Sequence, residues 1–370
     1  MSRNQILTVS SSHNFAALTF DTDGVIKVLK AENGRSGIDV VKTWGKPDRS
    51  KSIVAASLCD SLLAVARQDG QIELLDSISG EVCSLKLIRM LLVYTTLMKI
   101  IPIQLLELLS VASKGHVNLE SYKEKKLKHL KEFDVPDIYE MHSTKLHANK
   151  QCSLFGGKLA NEMTGLYIYD LEAGTSNWNA ESHDSGAILT STFLTRENQD
   201  LIVEGTGRHV RVYDTRGSRK PLKEIDLWKS KIFKEGLEVN IQAIVEAADA
   251  KSVHIGTGSG YLFSFDWDTR NATFFEGVGT TSHTYLYGEY PQRQIPSSSD
   301  IKFLVKHHEH GIIASGGNSW LTIWDVHKHD LVTKNNFHQT INTAIFYQKD
   351  DPTVKESLKR PREMGSCESD

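Results

Sequence analysis

LIVEGTGRHVRVYDTRGSRKPLKEID, residues 201–226, is the stretch that decides the fold of this chain. Three short runs within it are apolar or alternate between apolar and polar residues: 201–203, 210–213 and 221–225. Such runs are typical of β-strands. Gly205 and Gly207 tolerate positive φ and permit a turn after the first run, and the polar residues 214–217 indicate a turn after the second. The stretch therefore predicts a meander of three strands, which is the unit of a β-propeller blade.

Tyr213-Asp214 ends the second run at the place where WD40 repeats carry their Trp-Asp pair. Four further pairs occupy the corresponding place elsewhere in the chain: Leu75-Asp76, Tyr169-Asp170, Phe265-Asp266 and Trp324-Asp325. The intervals between the last four pairs lengthen along the chain. Loop insertions explain this lengthening, and the largest insertion is 285–300.

Seven segments follow the same plan: 14–45, 52–86, 105–133, 150–182, 187–226, 241–266 and 301–325. We therefore predict an all-β fold, a seven-bladed WD40 β-propeller, with blades one to seven in this order. Asp23-Gly24 and Asp69-Gly70 mark tight hairpins in the first two blades. A chain of 370 residues suits one such domain, because seven repeats of about 40–45 residues need about 300.

The two ends of the chain explain how the ring closes. Blade one lacks an innermost strand, whereas Thr340 to Gln348 is an alternating strand with no hairpin partner after it. We predict that this C-terminal strand completes blade one, which leaves no unpaired sheet edge at the closure. The propeller then spans residues 1–350, and the polar residues 351–370 form a disordered tail.

The apolar run from Met90 to Ile103 precedes the recognisable part of blade three. It is an inner strand with an inserted segment, a short buried helix, or the product of a wrongly joined reading frame. The wider region 88–112 contains Arg89, Lys99, Pro102 and Glu107. Its longest uncharged run is shorter than the ~20 apolar residues that cross a bilayer, so we expect no membrane span.

Composition excludes several other classes of protein. The net charge of −3 provides no global field for nucleic acid, although a local basic patch is compatible with 43 Lys and Arg. The four cysteines are scattered and form no C-x-x-C pair, which argues against disulfides and a structural zinc site. The first residues lack the apolar core of a secretory signal. We expect a reducing compartment, the cytosol or the nucleus.

Motifs that suggest chemistry have simpler structural explanations. Residues 256–260, GTGSG, lack the last glycine of a nucleotide-binding loop and precede a strand, so they indicate a blade turn. His307, His308 and His310, with His327 and His329, lack an evident tetrahedral metal-ligand set and indicate an exposed interstrand turn. No G-x-S-x-G elbow occurs. We therefore predict no catalytic residue, no cofactor, no metal and no small-molecule substrate.

The turn after Tyr213 has two interpretations. In the structural one, Tyr213 packs between blades, Asp214 accepts backbone hydrogen bonds and Arg216 is solvated. In the functional one, residues 213–216 match the aromatic-Asp-x-Arg pattern of WD40 substrate receptors of cullin-type ubiquitin ligases, as do residues 267–270 outside the expected register.

Basic residues supply two further candidate sites. Arg216, Arg219 and Lys220 are candidate contacts for a protein partner or for RNA phosphates, or are simply solvated. Lys359, Arg360 and Arg362 form a candidate nuclear import signal in the tail.

Taken together, the repeats resemble those of a family of nucleolar WD40 ribosome-assembly factors, the WD repeat-containing protein 74 family. The resemblance rests on SLFGGK (153–158), GLYIYDLE (165–172), HVRVYDTRGSRKPLKEIDL (209–227) and ASGGNSWLTIWDV (314–326). It extends from about residue 105 to 350 and is loose in the first two blades. The chain departs from the family pattern at 177–189, NWNAESHDSGAIL, and in a shorter tail with fewer lysines.

The resemblance implies a non-catalytic scaffold in the assembly of the large (60S) ribosomal subunit, located in the nucleolus of the nucleus. The implied partners are pre-60S assembly factors, ribosomal RNA and an AAA-type ATPase that releases the factor. We expect a monomer within a larger complex. The alternative function is a WD40 substrate receptor of a cullin-type ubiquitin ligase.

Overall fold

The structure is a computed structural model, and it describes most of the chain. The described residues are 15–21, 23–31, 38–59, 62–77, 79–87, 99–102, 107–123, 126–147, 151–161, 163–182, 188–196, 199–217, 219–229, 240–247, 251–269, 271–275, 301–307, 311–317, 320–336 and 340–347. These residues form 28 β-strands and the short 3-10 helix Arg49–Lys51. No described helix is long and apolar enough to cross a membrane.

The first four blades are built from the first half of the chain. Blade one contains β1 (Phe15–Asp21), β2 (Ile26–Ala31) and β3 (Asp39–Trp44), and blade two contains β4 (Ile53–Cys59), β5 (Leu62–Arg67), β6 (Gln71–Asp76) and β7 (Val82–Leu87). Blade three contains β8 (Lys99–Pro102), β9 (Glu107–Val111), β10 (His116–Lys123) and β11 (Lys126–Asp134). Blade four contains β12 (Ile138–Leu146), β13 (Cys152–Leu159), β14 (Thr164–Asp170) and β15 (Thr175–Ser182).

The second half of the chain supplies the remaining blades and the closing strand. Blade five contains β16 (Ile188–Arg196), β17 (Gln199–Thr206), β18 (His209–Asp214) and β19 (Lys223–Asp226). Blade six contains β20 (Ile241–Glu246), β21 (Ser252–Thr257), β22 (Leu262–Asp266) and β23 (Ala272–Phe274). Blade seven contains β24 (Phe303–Lys306), β25 (Ile312–Gly316), β26 (Trp320–Asp325) and β27 (Asp330–Asn336), and β28 (Ile341–Tyr347) follows it.

The C-terminal strand closes the ring in the predicted way. β28 pairs antiparallel with β1, so the sheet of blade one has the order β28-β1-β2-β3. Leu18 of β1 lies opposite Ile345 on one side and Val28 on the other. The predicted seven-bladed propeller, with a C-terminal strand as the innermost strand of blade one, is confirmed.

Adjacent blades are held together by apolar side chains. Because side chains alternate between the two faces of a sheet, each blade packs against both of its neighbours. In blade five, Ile202 and Tyr213 pack against blade four, whereas Val203 and Val212 pack against blade six. The described residues contain seven buried clusters of this kind, one at each interface around the ring. The ring is therefore closed by a continuous circle of hydrophobic contacts.

The Trp-Asp positions lie at the ends of the third strands, as predicted. Each aspartate accepts a hydrogen bond on Oδ1 from backbone amides in the turn that follows: Asp76 from Ser79, Asp170 from Ala173, Asp214 from Arg216, Asp266 from Asp268 and Thr269, and Asp325 from His327 and Lys328. The repeat is thus maintained by a carboxylate that caps each of these turns.

The apolar run before blade three provides an inner strand. Lys99–Pro102 forms β8, which pairs with β9, so the strand interpretation is confirmed for these four residues. Residues 90–98 and 103 lie outside the described residues. Three other strands were not predicted from the sequence: the inner strand β12 and the outer strands β23 and β27.

The antiparallel meander gives the propeller two distinct faces. The lower face carries the connections from first to second and from third to fourth strands, such as 215–222 in blade five and 267–271 in blade six. The upper face carries the connections from second to third strands and between blades, such as 207–208 and 45–52. Residues near the same end of equivalent strands therefore share one face of the molecule.

Candidate functional site

The turn between β18 and β19 contains the basic residues selected from the sequence. Arg216, Arg219 and Lys220 are all exposed on the lower face. Leu222 follows them with 60% exposure, while its backbone amide donates to the carbonyl of Val212 at 2.7 Å. The structure thus brings all three candidate cations together on one turn, next to an exposed apolar side chain.

Asp214 fixes the conformation of this turn. Its Oδ1 accepts from the backbone amide of Arg216 at 3.0 Å and from Nε of the same residue at 3.2 Å. Its Oδ2 accepts from Nη2 of Arg216 at 3.2 Å. The guanidinium is therefore held by both carboxylate oxygens, although 64% of the Arg216 side chain is exposed. The hydrogen bond with Asp214 raises the pKa of Arg216, which keeps it positively charged.

The strands beneath the turn contain a row of three charged groups, of which Arg211 and Glu204 are buried and Glu224 is exposed. Arg211 of β18 lies opposite Glu204 of β17 on one side and Glu224 of β19 on the other. Nη1 of Arg211 donates to Glu204 at 3.2 Å, and Nη2 donates to Glu224 at 3.2 Å. Burial raises the pKa of Glu204 to about 7, while a hydrogen bond with the Tyr213 hydroxyl lowers it. Arg211 also opposes this rise, because a nearby positive charge favours the ionised carboxylate.

Tyr213 has the structural role that one interpretation gave it. It is 2% exposed, and its ring makes an edge-to-face contact with Trp178 of blade four at a centroid distance of 5.7 Å. Burial raises the pKa of its hydroxyl, which is hydrogen-bonded to Glu204. The residue before the capping aspartate therefore joins two blades, and the exposed part of the motif is limited to Arg216.

Blade six supports the turn from the other side. Nζ of Lys223 donates to the carbonyl of Trp267 at 2.9 Å and lies 3.6 Å from Oδ1 of Asp268. Trp267 is 5% exposed and comes after the end of β22, so the second match to the receptor pattern is indeed out of register. Arg270 lies outside the described residues.

A second group of charged residues lies at the lower end of the inner strands, around the centre of the ring. Oε2 of Glu246 accepts from the Thr192 hydroxyl at 3.0 Å and lies 3.9 Å from Nζ of Lys145. Burial acts to raise the pKa of Glu246, but Lys145, the hydrogen bonds and Lys306 outweigh it and lower the pKa overall. Lys145, Thr192 and Glu246 thus link blades four, five and six, and the charge of Lys306 in blade seven also favours the ionised Glu246 carboxylate.

Two other sequence candidates, residues 256–260 and His307, belong to the framework of the propeller. Residues 256–260 span the end of β21 and the turn before β22, with Gly260 at a φ of 83°, so the blade-turn interpretation is confirmed. His307 is 2% exposed against Phe346, so the predicted exposure is wrong for this residue. Within the described part of the chain, no group of three or more potential ligands is arranged for a metal. His308, His310 and residues 351–370, including Lys359, Arg360 and Arg362, lie outside the described residues.

The exposed basic side chains on the outer strand of blade three were not predicted as a candidate site from the sequence. β11 exposes Lys126, Lys128 and His129 at the lower face. The signal was present in the sequence, because residues 123–131, KEKKLKHLK, contain more lysines than any other segment of comparable length assigned to an outer strand.

Comparison with known proteins does not assign the chain to a family. No protein-family model matches the chain, and no curated protein matches it significantly. The fold defines the class, a seven-bladed β-propeller whose repeats are consistent with a WD40-repeat protein. Propellers of this class typically serve as rigid non-catalytic scaffolds for protein interactions.

Proposed function

We propose that this chain is a non-catalytic scaffold in the nucleolar assembly of the large ribosomal subunit, where it docks assembly proteins and precursor ribosomal RNA. The observation that carries the proposal is the turn 214–222. It presents Arg216, Arg219 and Lys220 on a stiff frame, within the segment that most resembles the ribosome-assembly family. Guanidinium and ammonium groups are the usual contacts for RNA phosphates and for acidic protein surfaces.

The other segments of the resemblance support the proposal through their positions. Residues 153–158 and 165–172 cover most of β13 and β14, and residues 314–326 cover the end of β25 and all of β26. These segments therefore occupy the second and third strands of blades four and seven, whereas 209–227 covers the third and fourth strands of blade five. Such a scaffold acts by positioning several partners at once, and release by an AAA-type ATPase requires no chemistry from the propeller.

The proposal is tested by purifying the tagged protein from nuclei and sequencing its bound RNA. Precursor RNA of the large subunit is expected with the wild type and is expected to be depleted with Arg216→Ala/Arg219→Ala/Lys220→Ala. Lys46→Ala/Arg49→Ala/Lys114→Ala removes three exposed cations from the upper face and serves as the matched control. Wild-type preparations that lack this RNA, or diffuse cytosolic protein in place of nucleolar protein, would overturn the proposal.

The ubiquitin-ligase receptor is the second candidate, because Arg216 is exposed and oriented by Asp214. In this case Arg216→Ala alone abolishes binding to the cullin adaptor and leaves ribosomal profiles unchanged. Arg219→Ala, on the same turn but outside the four-residue motif, is the control that retains adaptor binding. Loss of large-subunit precursors with intact adaptor binding would instead exclude the receptor function.

A further inference from the structure

Two histidines and a serine form a hydrogen-bonded chain across the interface between blades six and seven. The Ser264 hydroxyl of β22 lies 2.8 Å from Nδ1 of His254 on the paired strand β21. The same hydroxyl lies 3.0 Å from Nε2 of His329, in the turn between β26 and β27 of blade seven. His254 and Ser264 are buried, whereas His329 is half-buried. The chain therefore runs from the lower face of the propeller into the interface.

This chain can take up one proton without losing a hydrogen bond, but not two. A hydroxyl has one hydrogen to donate, and a neutral imidazole has one N–H and one acceptor nitrogen. In the neutral chain, one histidine donates to Ser264, and Ser264 donates to the other histidine. A proton added to the donor histidine leaves both bonds intact. A proton added to the second histidine makes both rings donors, so the Ser264 hydrogen loses its acceptor and two positive charges flank one oxygen.

The surroundings of His329 oppose its positive charge. Burial lowers the pKa of His329, Asp325 opposes this effect and His327 adds to it. The Asp325 carboxylate is shared with another cation, because Nζ of Lys328 lies 3.9 Å from its Oδ2. Blade six contributes the uncharged ring of Phe275, whose centroid lies 4.8 Å from that of His329. A second proton in the chain is therefore costly.

The inner strands of blade six lack a link that blades four and five have. The Ser143 hydroxyl accepts from the backbone amide of Ser191 in blade five at 2.8 Å, and the Thr190 hydroxyl accepts from the amide of Ile244 in blade six at 3.2 Å. Ala243 occupies the corresponding position in blade six, since all three residues pair with a glycine of the second strand. Its methyl group cannot accept a hydrogen bond from blade seven.

The upper end of the same interface is joined by other contacts. The backbone amide of Ile301 donates to the carbonyl of Thr257 at 3.0 Å. Leu262, Phe275 and Ile313 belong to a buried apolar cluster between the two blades. Loss of the histidine–serine chain is consequently expected to loosen the lower part of the interface while its upper part stays joined.

We propose that His254, Ser264 and His329 form an acid-sensitive latch, which joins blade seven to blade six near neutral pH and opens when both imidazoles are protonated. The latch is independent of the proposed function, because it requires neither RNA nor Arg216.

The test is amide hydrogen exchange of the purified full-length chain, read by mass spectrometry between about pH 7.5 and about pH 5 and corrected for the intrinsic exchange rate. In the wild type, protection of residues 262–266 and 327–331 is expected to fall about five- to tenfold at the acid end, the equivalent of one lost hydrogen bond. His116→Asn is the matched control. It removes a histidine that is paired with Asp134 in blade three, and it should respond like the wild type.

Two variants address the latch directly. Ser264→Ala removes the central hydroxyl, so protection of both segments should already be low near neutral pH and should change little with acid. His329→Asn suits the φ of 52° at this position and does not titrate in this range. It is expected to flatten the pH response of both segments, and it provides the test if Ser264→Ala does not fold.

Three results would overturn the inference. The first is unchanged protection of both segments in the wild type down to about pH 5. The second is an equal acid-induced loss in the wild type and in His329→Asn, which would place the titrating group elsewhere. The third is a histidine NMR titration in which His254 and His329 both become protonated while the two segments keep their neutral protection. Large-subunit precursor RNA in nuclear preparations bears only on the proposed function.

Discussion

Arg211 and Glu204 form an ion pair at 3.2 Å in the interior of blade five, with both side chains 2% exposed. The pair is completed by Glu224, whose 43% exposed carboxylate accepts from the second terminal nitrogen of Arg211. A charge removed from water is stable only when its partners remain in place. The charged row therefore depends on all three strands β17, β18 and β19 being in register.

Arg211→Met is expected to destabilise the protein strongly, because it leaves Glu204 buried without its guanidinium partner. Loss of one member of a buried pair typically costs about 3–5 kcal/mol. The double variant Arg211→Met/Glu204→Leu should recover much of this loss, since it removes both buried charges. Denaturant unfolding monitored by tryptophan fluorescence measures both effects. A single variant within 1 kcal/mol of the wild type would contradict this account.

The raised pKa of Glu204 should also make the stability of the protein depend on pH. Its ordinary pKa is 4.5 and its pKa in the folded protein is about 7. Because the folded state binds this proton more tightly, the contribution is fully present below pH 4.5 and is lost as pH rises towards 7. Glu204→Gln removes this titration, so its free energy of unfolding should fall less than that of the wild type as pH rises from 5 to 8, in addition to a pH-independent cost of leaving Arg211 without its charged partner. A difference that does not vary with pH would show that Arg211 keeps Glu204 ionised throughout.

The fold was predictable because its repeating features are local. Asp214 and its four counterparts appear at the ends of short alternating runs, and the final strand has no neighbour in sequence to pair with. β12 was missed because two register shifts, at 138/140 and 141/143, interrupt its pairing with β13. Its sequence, IYEMHSTKL, consequently lacks a regular alternation.

The candidate site was only partly predictable. The exposed cations of the blade-five turn are adjacent in sequence and were found. The contacts of Arg211 with Glu204 and Glu224 depend on cross-strand register, which composition and spacing do not specify. The same limit applies to a second group, in which the Ser264 hydroxyl of β22 is hydrogen-bonded to His254 of β21 and to His329 in the turn between β26 and β27.

The lowered pKa of His329 should make stability depend on pH in the opposite direction to that caused by Glu204. Its Nε2 lies 3.0 Å from the Ser264 hydroxyl, which in turn lies 2.8 Å from Nδ1 of His254. Burial lowers the pKa of His329, Asp325 opposes this and His327 adds to it. The folded state therefore takes up this proton less readily than the unfolded chain, so the contribution is present above pH 6.5 and is lost as pH falls.

Replacing His329 by Asn tests this effect without disturbing the backbone. His329 has a φ of 52°, and Asn tolerates this left-handed conformation well. Melting temperatures measured from pH 8 to pH 5 should fall less steeply for His329→Asn than for the wild type. The comparison is made at each pH in the same buffer, so that the opposing contribution of Glu204 cancels. Parallel curves for the two proteins would contradict the prediction.

Gly157, the second glycine of SLFGGK, is predicted to be essential for packing. An added Cβ would overlap the backbone carbonyl oxygen of Glu140 on the neighbouring inner strand β12. Gly157→Ala should therefore cost at least about 1–3 kcal/mol, the usual range for overpacking. Gly217→Ala is the matched control, because its nearest neighbour, the carbonyl oxygen of Asp214, is 3.9 Å away. Thermal unfolding distinguishes the two, and equal losses would show that the close approach of the β12 backbone to Gly157 does not limit packing.

Asp214→Ala is predicted to loosen the blade-five turn as well as to destabilise it. The substitution removes the acceptor for the Arg216 amide and both contacts to its guanidinium. Asp76→Ala is the matched control, since Asp76 caps the equivalent turn of blade two by accepting from the Ser79 amide at 2.7 Å. Each substitution should cost about 1 kcal/mol of stability through the lost cap. Only Asp214→Ala should also speed amide hydrogen exchange at 215–217 and weaken capture of large-subunit precursor RNA, because only that turn carries Arg216. Equal RNA capture by the two variants would show that the orientation of Arg216 is not used in binding.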